Sequence, residues 1–493
     1  MVNFFIKIKL IYQQMLENIT ILLLLPVILS QFSFLAKKYN SWFFVIQILI
    51  SIICLEATIS LAISPKIFIV DLGFFSLKFM CDIYSYFFGI LVSVVWILTI
   101  LYSYSYVNKE IHGKKITKFF YYICLTIFCT YGNAYAGNLE TFFIFYFLMI
   151  LLTAPLIILE INKYTVRAYK IYLKTHIYTS IFLFLPAIIL LKYFKINTDF
   201  IADDRDFLLQ NHELASLIMF LFIFGVAKNC VLPFHKWITR TTVAPTPVSA
   251  LLHSVSAVKS GSFIIIKIAV YIYSLNYTKF LSENFFYCGW IFYLCGITAV
   301  YSAYRAYKTT KLKSRFAYST ISQLSYILSS IFIANKLAIM GAVLHIISHS
   351  LCKITLFFIA GIFSSVYGVH STKDATKLAP HLKFWIACLA FCGASIIGIP
   401  YLPGSFGKDL MIISEMQTHH YSSVIFLICG SLINILYIFP IIKAGFFSKK
   451  ISRKSLIKIP LTMRLAIIIA VSLAIGMSYF INDLINFFKI YEV

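Results

Sequence analysis

Long apolar stretches follow one another along almost the whole chain, with short polar connections between them. A helix needs about 20 consecutive apolar residues to cross the hydrocarbon core of a bilayer, so each stretch is interpreted as a membrane-spanning helix. We identify fourteen spans, near residues 19–36, 42–63, 84–106, 119–137, 140–160, 174–194, 213–233, 246–274, 285–305, 315–334, 336–367, 383–416, 420–445 and 461–488. The pattern predicts an all-α polytopic membrane protein.

Two segments depart from the pattern of long apolar stretches. Residues 64–82 alternate apolar and polar positions, which predicts a short β-hairpin at the membrane face. Residues 199–213 contain four aspartates and predict a surface loop. Little of the chain is left over for a soluble domain.

The composition excludes an ordinary soluble enzyme. The 493 residues are 61% hydrophobic and 12% charged, whereas soluble proteins carry about 25% charged residues. The net charge is +24, from 42 Lys and Arg against 18 Asp and Glu. This charge does not indicate a nucleic-acid partner, because no soluble domain is available to present a basic face.

The basic residues alternate between the two sides of the predicted helices. When residues near the ends of spans are counted with the adjoining connection, the seven odd-numbered connections hold about 27 of the 42 Lys and Arg residues, and the even-numbered connections and both termini hold about 10. The other five lie well inside spans. Basic residues collect in cytoplasmic loops. The odd-numbered connections are therefore predicted to face the cytoplasm, and both termini are predicted to face away from it.

The sequence carries no pattern typical of a bound redox centre. The eleven cysteines are scattered without a C-x-x-C pair, which gives iron–sulfur and zinc sites no thiolate ligand set. A G-x-G-x-x-G dinucleotide motif is also missing. We therefore expect neither a cofactor nor a metal, and we expect the cysteines to serve as small apolar packing residues.

Two lysines lie inside apolar spans beside helix-breaking residues. A charged side chain at the bilayer centre costs at least ~2.5–3.5 kcal/mol, so each one is a functional hypothesis. Lys228 precedes Pro233 in span seven, and Lys408 follows Pro403 and Gly404 in span twelve. Broken helices at matching places in two five-helix stretches indicate inverted repeats. The predicted units are three N-terminal helices, a first repeat, a second repeat and a last helix, over residues 1–118, 119–274, 275–445 and 446–493.

Further ionisable residues lie in spans eight and eleven. In span eleven His345, His349 and Lys353 recur every four residues and so share one helical face. They form either a polar seam between helices or a proton path, and three titratable groups in register favour the path. In span eight, Lys259 is either a relay residue or a side chain that extends to the interface. Packing or ion pairing is predicted for Lys267.

Four motifs follow one another in spans seven to twelve. They are PFHKWITRTTVAPTPVSALLHSVSAVKSG, KLKSRFAYSTISQLSYI, HIISHSLCKITLFFIAG and GIPYLPGSFGKDLMI. With these motifs in this order, the chain resembles the antiporter-like subunits of respiratory complex I and of the multi-subunit (Mrp-type) cation/proton antiporters. The form LLHSVSAVKSG is most similar to the D-type subunit of the Mrp antiporters.

The resemblance implies a role for each matching residue. Lys228 would be the central proton-carrying lysine of a first half-channel, Lys353 the connecting lysine, and Lys408 the terminal lysine of a second half-channel. The relay groups implied in the same way are His253, His345 and His349.

The chain departs from the family in span five. Members carry a glutamate there that pairs with the span-seven lysine, and the matching residue here is Phe147. Glu140 lies seven residues earlier on roughly the same helical face, either as a displaced acidic partner or as a helix-end acid. Without the glutamate, the protein either pumps by a variant route or has lost strong coupling.

The sequence leaves three functions open. The first, which the resemblance favours, is a proton-translocating membrane subunit of an Mrp-type antiporter or of a complex I-like NADH:quinone oxidoreductase. Its partners would be other membrane subunits, membrane lipid, protons and Na⁺ or K⁺, and any electron transfer would take place in the partner subunits. The second function is a stand-alone secondary transporter. The third is a structural subunit with vestigial lysines.

Overall fold

The computed structural model describes residues 2–38, 40–61, 63–73, 76–201, 210–377, 382–447 and 458–491. Within these ranges, eleven helices are long and apolar enough to cross a membrane. The prediction of an all-α polytopic membrane protein is thereby confirmed. The three remaining predicted spans are the one near 119–137 and the interrupted spans seven and twelve, so the number fourteen stays a prediction.

The N-terminal part consists of five helices and a hairpin. The helices are α1 (Val2–Gln31), α2 (Leu35–Lys38), α3 (Asn40–Ile59), α4 (Ile83–Glu110) and α5 (Lys114–Ala134), and the antiparallel strands between α3 and α4 are β1 (Ser64–Asp71) and β2 (Ser76–Cys81). Phe68 lies opposite Phe79 in this ladder, and both side chains are buried. The hairpin predicted over residues 64–82 is confirmed.

The middle part contains shorter and interrupted helices. These are α6 (Leu139–Ile157), α7 (Lys163–Thr179), α8 (Leu185–Tyr193), α9 (His212–Gly225), α10 (Lys236–Arg240), α11 (Thr246–Ser254), α12 (Val258–Lys267) and α13 (Leu275–Glu283). A π-helical turn at Ser180–Phe184 joins α7 to α8, and another at Ile268–Ile272 follows α12. Of the predicted loop over 199–213, residues 202–209 lie outside the described ranges.

The C-terminal part contains the central helices of the molecule. Its helices are α14 (Trp290–Lys308), α15 (Leu312–Ile333), α16 (Lys336–Ser365), α17 (Lys383–Ile397), α18 (Pro403–Gln417), α19 (Tyr421–Phe446), α20 (Leu461–Tyr479) and α21 (Ile481–Tyr491). Almost all residues of α15 and α16 are buried, whereas only about a third of the apolar windows of α19 and α20 is buried. Apolar exposure of this kind is expected for helices at a lipid-facing periphery.

The helix of span seven is interrupted beside Lys228. Helix α9 ends at Gly225, and a 3₁₀ turn, Ala227–Asn229, carries the lysine. The indole Nε1 of Trp237 donates to the carbonyl of Ala227 at 3.1 Å, which holds this turn in place. The chain therefore leaves α-helical geometry close to the proline, as predicted.

The helix of span twelve is interrupted ahead of Lys408. Helix α17 ends at Ile397, Gly398 adopts φ 96°, and α18 begins at Pro403. A Cβ atom on Gly404 would lie 2.1 Å from the carbonyl oxygen of Ser395, so the close approach of the two helix ends requires glycine at this position. This interruption also falls where the prolines and glycines predict it.

Span eight differs from its predicted form. The pattern predicts one continuous helix over 246–274, but α11 ends at Ser254 and α12 begins at Val258. Between them, the N–H groups of Val255 and Ser256 both donate to the carbonyl of Leu251, at 3.1 and 3.2 Å. The bond from Ser256 spans five residues, so this turn is wider than an α-helical turn, and it separates α11 with His253 from α12 with Lys259.

Candidate functional site

The lysines predicted inside spans are all deeply buried. Lys228, Lys259, Lys267 and Lys353 have no exposed surface, and Lys408 is 3% exposed. Since burial of an ammonium group is expensive, each must be compensated by hydrogen bonds, a counter-charge or loss of its proton. Their partners therefore define the candidate site.

Lys228 contacts an aromatic residue of α6. Its Nζ lies 3.7 Å from the centre of the Tyr146 ring and 3.3 Å from the Tyr146 carbonyl oxygen. Among the described residues, no carboxylate forms an ion pair with this lysine. A cation–π contact and a single carbonyl therefore occupy the position where a family glutamate is expected.

The two residues considered as the span-five partner of Lys228, Glu140 and Phe147, contact other residues. Glu140 is in the first turn of α6, where its carboxylate pairs with Lys192 at 2.7 Å and accepts from the Thr198 hydroxyl at 2.7 Å. Phe147 is half-buried and stacks on Phe143 at 6.0 Å. Glu140 thus has the contacts of a helix-end acid, and the residue that faces Lys228 is Tyr146 rather than Phe147.

Lys259 makes a direct contact with the histidine stripe. Its Nζ lies 2.7 Å from Nδ1 of His349, which joins α12 to α16. The rings of His349 and His345 are 5.9 Å apart, and Nε2 of His345 lies 3.0 Å from the side-chain oxygen of Gln323 on α15. These four side chains form a buried polar row, which we call the central row: Lys259, His349, His345 and Gln323.

Lys353 points away from the two histidines of its own helix. Its Nζ donates to the carbonyl of Phe316 at 3.0 Å and to the Ser319 hydroxyl at 2.6 Å, both on α15. The Tyr437 hydroxyl of α19 also bonds to Ser319. The shared helical face predicted for the stripe therefore leads to two separate sets of partners.

His253 stacks on an aromatic residue of α16. Its ring stacks on Phe357 with the centroids 4.4 Å apart. Among the described residues, neither of its ring nitrogens has a hydrogen-bond partner. The structure thus brings His253 close to α16 without joining it to the central row.

Lys408 lies on α18, the second half of span twelve, and its ammonium group reaches the C-terminal end of the first half, α17. Its Nζ donates to the carbonyls of Ile396 and Ile397 at 2.8 and 3.0 Å, and to the Ser431 hydroxyl at 2.9 Å. These carbonyls are free because α17 ends there, and the negative end of a helix stabilises a cation. The interruption of the helix therefore provides the free carbonyl groups that bind the ammonium group of Lys408.

Lys267 forms the ion pair predicted for it. Its Nζ lies 3.1 Å from the carboxylate of Asp82, and the two side chains are 0% and 6% exposed. It also donates to the Ser85 hydroxyl at 2.9 Å and to the Ala136 carbonyl at 3.1 Å. This ion pair links the C-terminal end of α12 to the N-terminal end of α4.

Three buried polar residues were not predicted. Gln323 and Tyr146 contact central lysines or histidines, and Glu415 on α18 is 1% exposed. A glutamine or glutamate inside an apolar span is a signal that a search for ionisable and amide groups would have found. Tyr146 carries no such signal in a sequence with 33 tyrosines.

The arrangement suits proton transfer between side chains more than metal binding. Within the described ranges, no group of three or more His, Cys, Asp or Glu is placed to hold a metal ion. Lysine and histidine within hydrogen-bond distance can exchange a proton directly, and longer gaps require water. The central row offers one such direct contact.

A family model described as NADH:quinone oxidoreductase/Mrp antiporter, TM, matches residues 136–434, more than half of the chain. The chain belongs to this family. The matched region includes Lys228, Lys259, Lys353 and Lys408 together with their partners on α15 and α16. The family predicted from the four motifs is therefore confirmed.

Curated relatives are similar over the same part of the chain. The "Putative antiporter subunit mnhA2" of Staphylococcus saprophyticus is 26% identical over 367 residues, 70% of this chain and 44% of its own length. The A/B subunit of a probable K⁺/H⁺ antiporter of Rhizobium meliloti is 28% identical over 347 residues, 69% of this chain and 33% of its own length. The chain thus spans less than half the length of these relatives. Neither name refers to a D-type subunit, so the finer similarity to that type stays a prediction.

Two solved structures share the fold of this family member. The membrane-bound sulfane sulfur reductase, an archaeal respiratory membrane complex, has a chain that matches with a TM-score of 0.80 at 17% identity, over 95% of both chains. A chain of the Mrp complex from Dietzia sp. DQ12-45-1b matches with a TM-score of 0.78 at 19% identity, over 93% of this chain and 50% of its own length. At these identities the likeness concerns the fold.

Proposed function

We propose that this family member is a proton-translocating membrane subunit of a larger assembly, either an Mrp-type antiporter or a complex I-like machine. Its partners are other membrane subunits, and its location is a bacterial inner membrane or an equivalent energy-coupling membrane. Family membership, the antiporter names of the relatives and the fold shared with two membrane complexes support this proposal.

The contact between Lys259 and His349 is the observation that carries the proposal. At 2.7 Å the two nitrogens share one proton, which rests on either side according to the local field. Moving a charge nearby shifts this balance, so the pair can pass a proton between α12 and α16. His345 and Gln323 extend the polar row toward α15.

The proposed path has its ends at the interrupted helices. Lys228 is the proton carrier of the first half, Lys353 connects the halves, and Lys408 is the terminal carrier of the second half. This organisation follows the two proposed five-helix repeats over residues 119–274 and 275–445, within fourteen spans. His253 joins the path through water, since neither of its ring nitrogens has a hydrogen-bond partner among the described residues.

The identity of the assembly is tested by its subunits. The tagged chain is purified in a gentle detergent, and co-purifying proteins are identified by mass spectrometry. Small hydrophobic antiporter subunits would support an Mrp-type complex and make Na⁺/H⁺ and K⁺/H⁺ exchange the next assays. Flavin and iron–sulfur subunits would support a complex I-like pump driven by NADH and quinone.

The proton path is tested by Lys259→Met in that purified complex, reconstituted in liposomes. We expect proton movement to fall by roughly 100-fold, as for the loss of an acid–base group, while the subunit composition stays unchanged. The matched control is Lys279→Met on α13, where the lysine side chain is 44% exposed and pairs with Glu283 at 4.0 Å. Proton movement at the original rate in an intact Lys259→Met complex would refute the path.

One observation favours a second candidate, a structural subunit with vestigial lysines. Lys228 has an aromatic ring and a carbonyl as partners where the family has a carboxylate. Under this alternative, Lys228→Met, Lys353→Met and Lys408→Met combined would leave ion movement by the complex unchanged. Loss of ion movement from any single variant would exclude it.

A further inference from the structure

A basic cavity lies on one side of the molecule and plays no part in the proposed proton path. It has a volume of about 580 Å³ and opens where five connections meet. These connections follow α4, precede α7, join α10 to α11, precede α15 and follow α16. All five are odd-numbered connections of the predicted topology, so the cavity belongs to the predicted cytoplasmic side. Its size lies in the range of small-molecule sites, about 300–1,000 Å³.

The charges that line the cavity are mostly positive. Four basic side chains, Arg167, Arg240, Lys311 and Lys313, face one carboxylate, Glu110. None of the four takes part in an ion pair with a described residue. Uncompensated like charges around one space repel each other, and an anion inside it would relieve that repulsion.

The start of α15 adds backbone donors to the same cavity. This helix of 22 residues has Lys311 at its N-cap without a side-chain cap, and its first residues line the cavity. Among the described residues, the N–H groups of Lys313 and Ser314 have no hydrogen-bond acceptor. Free N–H groups at the positive end of a helix bind anions, above all phosphate.

A hydroxyl group also lines this cavity. Ser365, at the end of α16, lines the cavity, and its buried Oγ has no hydrogen-bond partner within the described parts of the chain. A buried hydroxyl without a partner is rare and marks a place for a ligand or a water molecule. The cavity thus combines four cations, two free N–H groups and a hydroxyl.

We propose that the basic cavity binds a phosphate group, carried by an anionic lipid headgroup or by free inorganic phosphate. Arginine forms two parallel hydrogen bonds to phosphate oxygens, and basic pockets between membrane helices on the cytoplasmic side suit anionic headgroups. The same charges oppose the passage of Na⁺, K⁺ or protons through this opening. The proposal is independent of the proton path.

The test uses the purified full-length protein with its co-purifying subunits in a zwitterionic detergent. Short-chain phosphatidylglycerol and inorganic phosphate are titrated separately, with binding followed by calorimetry. The cavity variant is Arg167→Gln with Arg240→Gln. The matched control is Lys170→Gln with Lys236→Gln, which removes two charges from exposed positions of the same helices outside the cavity.

We expect the cavity variant to bind at least tenfold more weakly and the control to change by less than twofold, since charge-assisted hydrogen bonds are lost only in the first. Cavity-dependent binding of phosphatidylglycerol alone identifies a lipid site, and cavity-dependent binding of phosphate identifies a site for the free ion. Equal weakening in both variants would overturn the proposal, because it would indicate general surface attraction. Failure of both probes to bind would also overturn it. Equal melting temperatures of the two variants without ligand show that each is folded.

Discussion

Replacement of Asp82 by asparagine would remove the counter-charge of a fully buried lysine. The Asp82 carboxylate lies 3.1 Å from Lys267 Nζ, and its Oδ1 also accepts from the Ser85 N–H at 2.6 Å as the N-cap of α4. Asparagine keeps an oxygen for the N-cap bond. The variant therefore removes the charge of the ion pair and keeps the N-cap hydrogen bond.

The expected loss of stability follows from burial. Removing one partner of a buried ion pair costs ~3–5 kcal/mol, because the other charge is left uncompensated. Unfolding entropy is about 2.1 cal/mol/K per residue, or about 1 kcal/mol/K for 493 residues, so that 1 kcal/mol lowers Tm by about 1 °C. We expect Asp82→Asn to lower Tm by ~3–5 °C. Adding Lys267→Met should restore most of this loss, since it removes the isolated charge.

The assay is thermal unfolding in detergent, followed by tryptophan fluorescence at one fixed scan rate. The matched control is Asp199→Asn, which breaks a 2.9 Å pair with Lys78 whose side chains are 18% and 29% exposed. Solvent reaches and screens this partly exposed pair, so we expect it to contribute about 1 kcal/mol or less and Tm to change by about 1 °C or less. Equal changes for the two asparagine variants would refute the reasoning. So would a double variant that is no more stable than Asp82→Asn.

Two further predictions concern the interrupted helices. Gly404→Ala should lower Tm by ~1–3 °C through overpacking against a backbone carbonyl. Gly476→Ala places its Cβ in open space inside α20, so it should leave Tm unchanged or raise it by about 1 °C, because alanine favours a helix more than glycine does. Equal Tm values for the two variants would contradict this. Tyr146→Glu should shift the pH optimum of transport more than Phe147→Glu, because Tyr146 faces Lys228 and the adjacent position is rotated by about 100° on the helix. Initial rates measured across neutral pH test this, and identical profiles for both variants would indicate that the span-five site is inactive.

Features that depend on nearby residues were accessible from the sequence. Apolar length predicted the membrane helices, alternation predicted the hairpin over 64–82, and prolines with glycines predicted the interruptions near Lys228 and Lys408. The family was identified because its motifs are continuous stretches of sequence. The turn between α11 and α12 was missed, since its serines left the apolar pattern of span eight intact.

The partners of the buried charges depended on the tertiary structure. Lys259 and His349 are 90 residues apart in the chain, and no spacing rule connects them. Tyr146 rather than Phe147 faces Lys228, and Lys353 turns from the histidines of its own helix toward Ser319. Hydropathy and helix breakers, read from the sequence by itself, determine that a segment crosses the membrane and where it is interrupted. Which side chains meet is decided only by the rotation and packing of whole helices, because each buried charge takes the polar groups that neighbouring helices bring within reach.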